Sequence, residues 1–97
     1  MDQTTATAIQ AAHALLRAGK QPEARAVLLP VIRADESIAE AWYLLGFAAT
    51  EPDKRMYAFQ RVLGIDPANQ AARKQIAVLR GAPQAVAVRD SLYTAGD

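Results

Sequence analysis

Residues 39–67 read AEAWYLLGFAATEPDKRMYAFQRVLGIDP, and this stretch decides the fold. Apolar residues recur at helical spacing on each side of the Glu51–Pro52 pair. They are Ala41, Leu44, Leu45 and Ala48 in the first run and Met56, Phe59, Val62 and Leu63 in the second. Pro52 suits the first turn of a helix, where its missing N–H is not needed. Asp66–Pro67 ends a helix, because the residue before a proline avoids helical angles. The stretch therefore predicts two antiparallel helices joined by a tight turn.

Gly46 lies inside the first of these two predicted helices. A glycine in a helix interior lowers helix stability by about 1 kcal/mol relative to alanine. The need for a small residue at this position would explain the glycine. We therefore expect another helix to approach the chain closely at Gly46.

The same stretch resembles a tetratricopeptide repeat (TPR) of the short-turn, bacterial type. In that family Trp, Leu-Gly, Tyr, Ala, Phe and Pro recur within about 34 residues. The matching residues are Trp42, Leu45, Gly46, Phe59 and Pro67. The stretch departs from the pattern at Ala49, where the family has tyrosine, and at Arg55, where it has a small residue. It is also three residues shorter, which we place in the turn 50–53. The resemblance implies an all-α fold, a TPR-like right-handed helical array of two antiparallel helix pairs plus a C-terminal capping helix.

The chain contains an earlier copy of this pattern. Small and apolar residues of a first predicted helix precede the matching positions of the third by 34 residues, and those of the second precede the fourth by 31. The pairs are Ala8, Ala11, Ala12 and Leu15 with Trp42, Leu45, Gly46 and Ala49, and Leu28, Val31, Ile32 and Asp35 with Phe59, Val62, Leu63 and Asp66. The difference equals the three-residue deletion, so both offsets support an internal repeat. We predict repeat one at about 5–38, repeat two at about 39–69 and a capping helix at about 69–80.

Capping residues predict where the helices begin and end. Residues 1–4 are expected to fray, with Thr4 or Thr5 as the N-cap of the first helix and Gly19 as its left-handed stop. Pro30 falls inside the second predicted helix, on its outer face, where a kink can bend toward solvent. The tail 81–97 fits a degenerate sixth helix, an extended segment or a linker.

Composition limits the classes of function. The 97 residues suit one small domain, with a formal net charge of +1 and no cysteine. The charge balance gives no reason to expect nucleic acid or a membrane as partner. The densest basic segment, Arg73, Lys74 and Arg80, is not interleaved with aromatic residues and is explained by a solvated helix face. The start of the chain lacks a signal-peptide pattern, so we expect a cytoplasmic protein.

Catalytic chemistry has no support in the sequence. His13 is the single histidine, and no serine or cysteine nucleophile motif accompanies it. Gly19–Lys20 lacks the other residues of a phosphate-binding loop. No spacing proposes the three or four converging ligands that a metal needs. We predict a protein that is not an enzyme and that uses no cofactor and no metal.

The resemblance implies that the first helix of each pair lines a concave binding surface. The residues it places there are Ile9, His13, Leu16, Arg17, Glu40, Tyr43, Leu44, Phe47, Thr50, Lys74, Gln75 and Val78. Tyr43 and Phe47 lie one helical turn apart, and an exposed aromatic pair usually marks an interaction site. The other interpretation is that the tail or the fifth helix covers this pair. The positions at which some TPR proteins grip a peptide's terminal carboxylate are largely apolar here, so a partner with apolar side chains is favoured.

Two functions follow as hypotheses. The first is a protein–protein interaction module that binds a protein or peptide on the concave face. The second is a structural domain that self-associates as a homo-oligomer or forms the N-terminal scaffold of a larger protein, because two repeats bury little surface.

Overall fold

A computed structural model describes residues 2–81, and all of the regular secondary structure in that range is α-helical. The helices are α1 (Gln3–Arg17), α2 (Gln21–Ala34), α3 (Ala39–Ala48), α4 (Pro52–Ile65) and α5 (Gln70–Leu79). The predicted all-α class is therefore confirmed for this range. The predictions made for the tail 82–97 lie outside the described residues. No helix in residues 2–81 has the length and apolar character needed to cross a membrane.

The ends of most helices follow the expected signals. Gly19 and Gly81 have φ angles of 76° and 73°, the left-handed conformation that glycine adopts without strain. Pro52 is the first residue of α4. The side chain of Asn69 caps α5 by accepting a hydrogen bond from the Ala72 backbone N–H at 2.9 Å.

The start of α1 differs from the expected one. The helix begins at Gln3 and its N-cap is Asp2, rather than Thr4 or Thr5. The Asp2 carboxylate accepts a hydrogen bond from the backbone N–H of Thr5 at 2.7 Å. This bond stabilises the ionised carboxylate and so lowers the pKa of Asp2. Aspartate caps a helix at least as well as threonine and adds a negative charge at the positive end of the helix dipole, which explains the earlier start.

The central element of the packing is α3, which contacts α4, α2 and α1, while α5 packs on α4. The large side chains that are fully buried are Phe59, Leu28 and Val62. Alanines without exposed surface fill the helix contacts, namely Ala12, Ala24, Ala41, Ala48, Ala58 and Ala72. Small side chains let helix axes approach closely, and each large buried side chain stabilises the fold by about 1.5–3 kcal/mol.

Gly46 and Pro30 are unusual residues for a helix interior, and both have the surroundings that the sequence analysis predicts. A Cβ atom added to Gly46 would overlap the ring of Phe59, so the close approach expected at this glycine is real. Pro30 is exposed, and α2 continues past it to Ala34. An exposed proline leaves the carbonyl that loses its N–H partner accessible to water, which lowers the cost of interrupting the helix.

Candidate functional site

A groove opens between α1 and α3 and reaches the turn from α1 to α2 and the first turn of α4. Its volume is about 490 Å³. We call it the α1–α3 groove, and its lining residues are His13, Leu16, Arg17, Gly19, Gln21, Tyr43, Leu44, Phe47 and Arg55. Helical spacing explains why His13, Leu16 and Arg17 share one face of α1, and why Tyr43, Leu44 and Phe47 share one face of α3.

Aromatic rings form the floor of the groove. Tyr43 and Phe47 meet edge to face, with ring centroids 5.1 Å apart. Phe59 of α4 supports both from below, at 5.7 Å from Tyr43 and 5.3 Å from Phe47. Phe59 is buried, whereas Tyr43 and Phe47 keep part of their surface exposed. Edge-to-face aromatic pairs gain about 0.5–1.5 kcal/mol beyond their buried area, so the floor is a rigid apolar surface.

Polar side chains at the starts of α2 and α4 close one end of the groove. Helix α3 ends at Ala48 without a glycine, and its last carbonyl groups have no partner within the helix. Side chains from the two neighbouring helices bind these carbonyls instead. Gln21 Nε2 donates to Phe47 O at 2.9 Å, Arg25 Nη1 to Ala48 O at 2.6 Å and Arg55 Nε to Ala49 O at 2.6 Å. Arg55, one of the two departures from the repeat pattern, thus helps to cap α3.

A polar pair joins α1 to α3. His13 Nε2 lies 3.1 Å from Glu40 Oε2, and the two side chains are 44% and 51% exposed. The contact is an ion pair when His13 is protonated, and a hydrogen bond when the neutral ring carries its proton on Nε2. In either form the contact engages the carboxylate of Glu40, which lies on the same side of α3 as Tyr43.

The structure brings only part of the twelve predicted site residues together, and Glu40 is exposed outside the lining of the groove. Six of them line the α1–α3 groove: His13, Leu16, Arg17, Tyr43, Leu44 and Phe47. Ile9 and Leu44 are only 4% and 3% exposed, because α1 and α3 pack against each other there. Thr50 is exposed in the α3–α4 turn, outside the lining of the groove. Lys74, Gln75 and Val78 lie on α5, which contributes no residue to the groove.

Three lining residues were not predicted: Gly19, Gln21 and Arg55. They come from the α1–α2 turn and from the first turns of α2 and α4, whereas the prediction used only the first helix of each pair. The one signal for them in the sequence was the arginine at position 55, where the family has a small residue.

A second apolar groove lies on the opposite side of α3, between α2 and α4, with a volume of about 450 Å³. We call it the α2–α4 groove. Its lining residues are Arg25, Leu29, Trp42, Leu45, Ala49, Asp53, Lys54 and Tyr57. Tyr57 is 56% exposed and meets Trp42 edge to face, with centroids 5.8 Å apart. The predicted site did not include this surface.

Metal ligands do not converge in the described range: no three histidine or carboxylate side chains of residues 2–81 are placed to hold a metal ion. The chain has no cysteine. No protein-family model matches this chain, and no curated protein matches it.

Proposed function

We propose that this protein is a non-catalytic interaction module that binds a peptide or partner segment with apolar side chains in the α1–α3 groove. The observation that carries the proposal is the Tyr43–Phe47 pair, which forms an accessible apolar floor while Phe59 fixes both rings from below. A rigid aromatic floor binds an apolar side chain without first losing rotamer freedom. Grooves between helices are also common sites for partner segments.

The proposed architecture is a TPR-like right-handed array of two helix pairs, with α5 as the capping helix. It is supported by the 34-residue offset between the first and third helices and by packing of α3 on both α1 and α2. In this interpretation the α1–α3 groove is the concave face of the array. We further propose a cytoplasmic protein whose partner is a protein or peptide, rather than a nucleic acid or a membrane.

A second candidate function is self-assembly. It is favoured by the exposed apolar side chains away from the α1–α3 groove: Leu29 and Tyr57 on the α2–α4 side and Val78 on α5, which is 54% exposed. Two copies that bury these side chains against each other would form a homo-oligomer. Sedimentation velocity over a range of protein concentrations tests this function. A monomer at every concentration would argue against it.

The test of the interaction module is a selection from a library of random dodecapeptides displayed on phage. We expect the wild-type chain to enrich peptides rich in large apolar residues. Tyr43→Ser combined with Phe47→Ser should abolish their binding, because it removes both rings of the floor. Tyr57→Ser is the matched control, since it removes an exposed aromatic ring from the α2–α4 groove, and it should leave binding unchanged.

Circular dichroism must show that the double variant remains helical, so that a loss of binding reports on the groove rather than on unfolding. Enriched peptides that bind the double variant as well as the wild type would refute the α1–α3 groove as the site. Loss of binding in Tyr57→Ser alone would move the site to the α2–α4 groove.

A further inference from the structure

The charges around the α1–α3 groove are of one sign. Two of its lining residues, Arg17 and Arg55, are cationic, and no aspartate or glutamate among residues 2–81 lines it. The carboxylate of Glu40, outside the lining, is already held by His13 at 3.1 Å. A groove with an apolar floor and unbalanced positive charge at one end selects for a partner that supplies the missing negative charge.

Arg55 is held in place for such a contact. Its Nε donates to the carbonyl of Ala49 at 2.6 Å, which fixes the plane of the guanidinium group. In residues 2–81 its two terminal nitrogens have neither a hydrogen bond nor an ion pair. A guanidinium group whose orientation is already fixed loses little further side-chain entropy when it binds a carboxylate.

Arg17 lines the groove from the last turn of α1, and it is exposed. No carboxylate in the described part of the chain lies within ion-pair distance of it. Its structural role is limited to a favourable interaction with the negative end of the helix dipole. Arg17 is therefore available to a partner, and replacing it should change the fold little.

We infer that the partner segment carries an aspartate or glutamate side chain next to a large apolar residue. Arg17 and Arg55 bind the carboxylate, while the apolar side chain lies on Tyr43, Phe47 and Leu16. The carboxylate belongs to a side chain rather than to a chain terminus, because the positions with which some TPR proteins grip a terminal carboxylate are largely apolar here, as at Leu44 and Phe47. Among the lining residues of the described range, Gln21 carries the one neutral side-chain amide, and this amide already donates to Phe47 O. This inference rests on the proposed function of the groove.

The test repeats the dodecapeptide selection, with each peptide joined to the phage coat protein at its C-terminus so that no peptide presents a terminal carboxylate. We expect the peptides enriched by the wild-type chain to share an acidic residue adjacent to a large apolar one. Arg17→Gln should reduce the preference for the acidic residue, since Arg55 then binds the carboxylate alone, while apolar residues remain enriched. Arg33→Gln is the matched control, because it removes an exposed arginine at the other end of α2 and should change nothing.

A synthetic peptide with the consensus sequence then measures the contact. Replacing its acidic residue by the corresponding amide should weaken binding to the wild-type chain by about tenfold. The same replacement should weaken binding to Arg17→Gln by only about threefold, since one of the two cations that the carboxylate contacts is gone and Arg55 remains.

The outcomes separate this inference from the proposed function. Enriched peptides that are apolar without an acidic residue would overturn the charge inference and leave the groove as the binding site. An equal effect of the amide replacement on the wild type and on Arg17→Gln would also overturn it. Failure to enrich any peptide, or enrichment that survives loss of Tyr43 and Phe47, would overturn both.

Discussion

Substituting alanine for Gly46 gives the sharpest test of the packing described above. The new Cβ would overlap the ring of Phe59. The ring has little room to move, because Phe59 is 2% exposed and meets Tyr43 and Phe47 edge to face. Relief of the overlap therefore requires α3 and α4 to separate or the aromatic floor to rearrange.

The sign of the effect depends on two opposing terms. Alanine stabilises a helix interior by about 1 kcal/mol relative to glycine. An added methyl group in a closely packed core costs about 1–3 kcal/mol, and the overlap at Gly46 lies at the upper end because the neighbour is a buried ring. We expect Gly46→Ala to lower the free energy of unfolding by about 1–2 kcal/mol. The melting temperature of a domain of this size changes by about 4–8 °C per kcal/mol.

Gly64 provides the matched control within the same molecule. It lies in α4, it is exposed, and a Cβ added there would meet no atom of residues 2–81 within 4 Å apart from its chain neighbours and the backbone of α4. Only the helix-propensity term applies, so Gly64→Ala should stabilise the protein by about 0.5–1 kcal/mol. The same chemical change thus has opposite signs at two glycines of adjacent helices.

Urea denaturation measured by Trp42 fluorescence and by far-UV circular dichroism gives the free energies of unfolding. A double-mutant cycle adds Phe59→Leu, a smaller side chain. Gly46→Ala should cost less in that background than in the wild type, because the overlapping ring is absent. A neutral or stabilising Gly46→Ala, or a cost that is unchanged in the Phe59→Leu background, would refute the close approach of α3 and α4 at this position.

Two further predictions concern helix ends. Arg55→Met should lower the free energy of unfolding by about 1–2 kcal/mol, because the Ala49 carbonyl loses a charged hydrogen-bond donor. Urea denaturation measures this loss. A variant as stable as the wild type would show that α3 does not need the cap. The hydrogen bond from Thr5 N–H lowers the pKa of Asp2 in the folded state. The stability it adds is therefore present above the unfolded pKa of about 3.9 and is lost as the pH falls through the folded value. Asp2→Ala should accordingly destabilise the protein more at pH 7 than at pH 2, and the two pH values should give equal losses if Asp2 is not the cap.

Local signals in the sequence located the helices because each signal acts over a few residues. The apolar spacing of residues 39–67 and the punctuation by Gly19, Pro52 and Asp66 predicted where chain segments turn. The predicted start of α1 at Thr4 or Thr5 was wrong, because Asp2, Thr4 and Thr5 are all competent caps and the local pattern does not rank them. Aspartate gains from the helix dipole as well as from the hydrogen bond, and α1 begins there.

The groove was predicted in part, for a different physical reason. Helical periodicity places Tyr43 and Phe47 on one face of α3, whatever packs against that face. Whether a residue on such a face is exposed in a groove or buried between two helices depends on the distance between the helices. Helical periodicity gives no information on that distance. Leu44 is consequently nearly buried although its neighbours Tyr43 and Phe47 are partly exposed. Arg55 was missed because a long side chain reaches the groove from a helix that does not otherwise line it.

Helix α3 is the point at which local preference and tertiary packing disagree. It has only ten residues, it contains a glycine, and it ends without a glycine or side-chain cap of its own. A helix of that length is marginal in isolation. Each weakness is compensated by a residue outside α3: Phe59 fills the space over Gly46, and Arg25 and Arg55 bind the terminal carbonyls. Since α4 supplies both Phe59 and Arg55, docking of α4 stabilises α3 and at the same time shapes the floor and one wall of the α1–α3 groove. Any change that loosens α4 should therefore weaken partner binding even where it touches no groove residue.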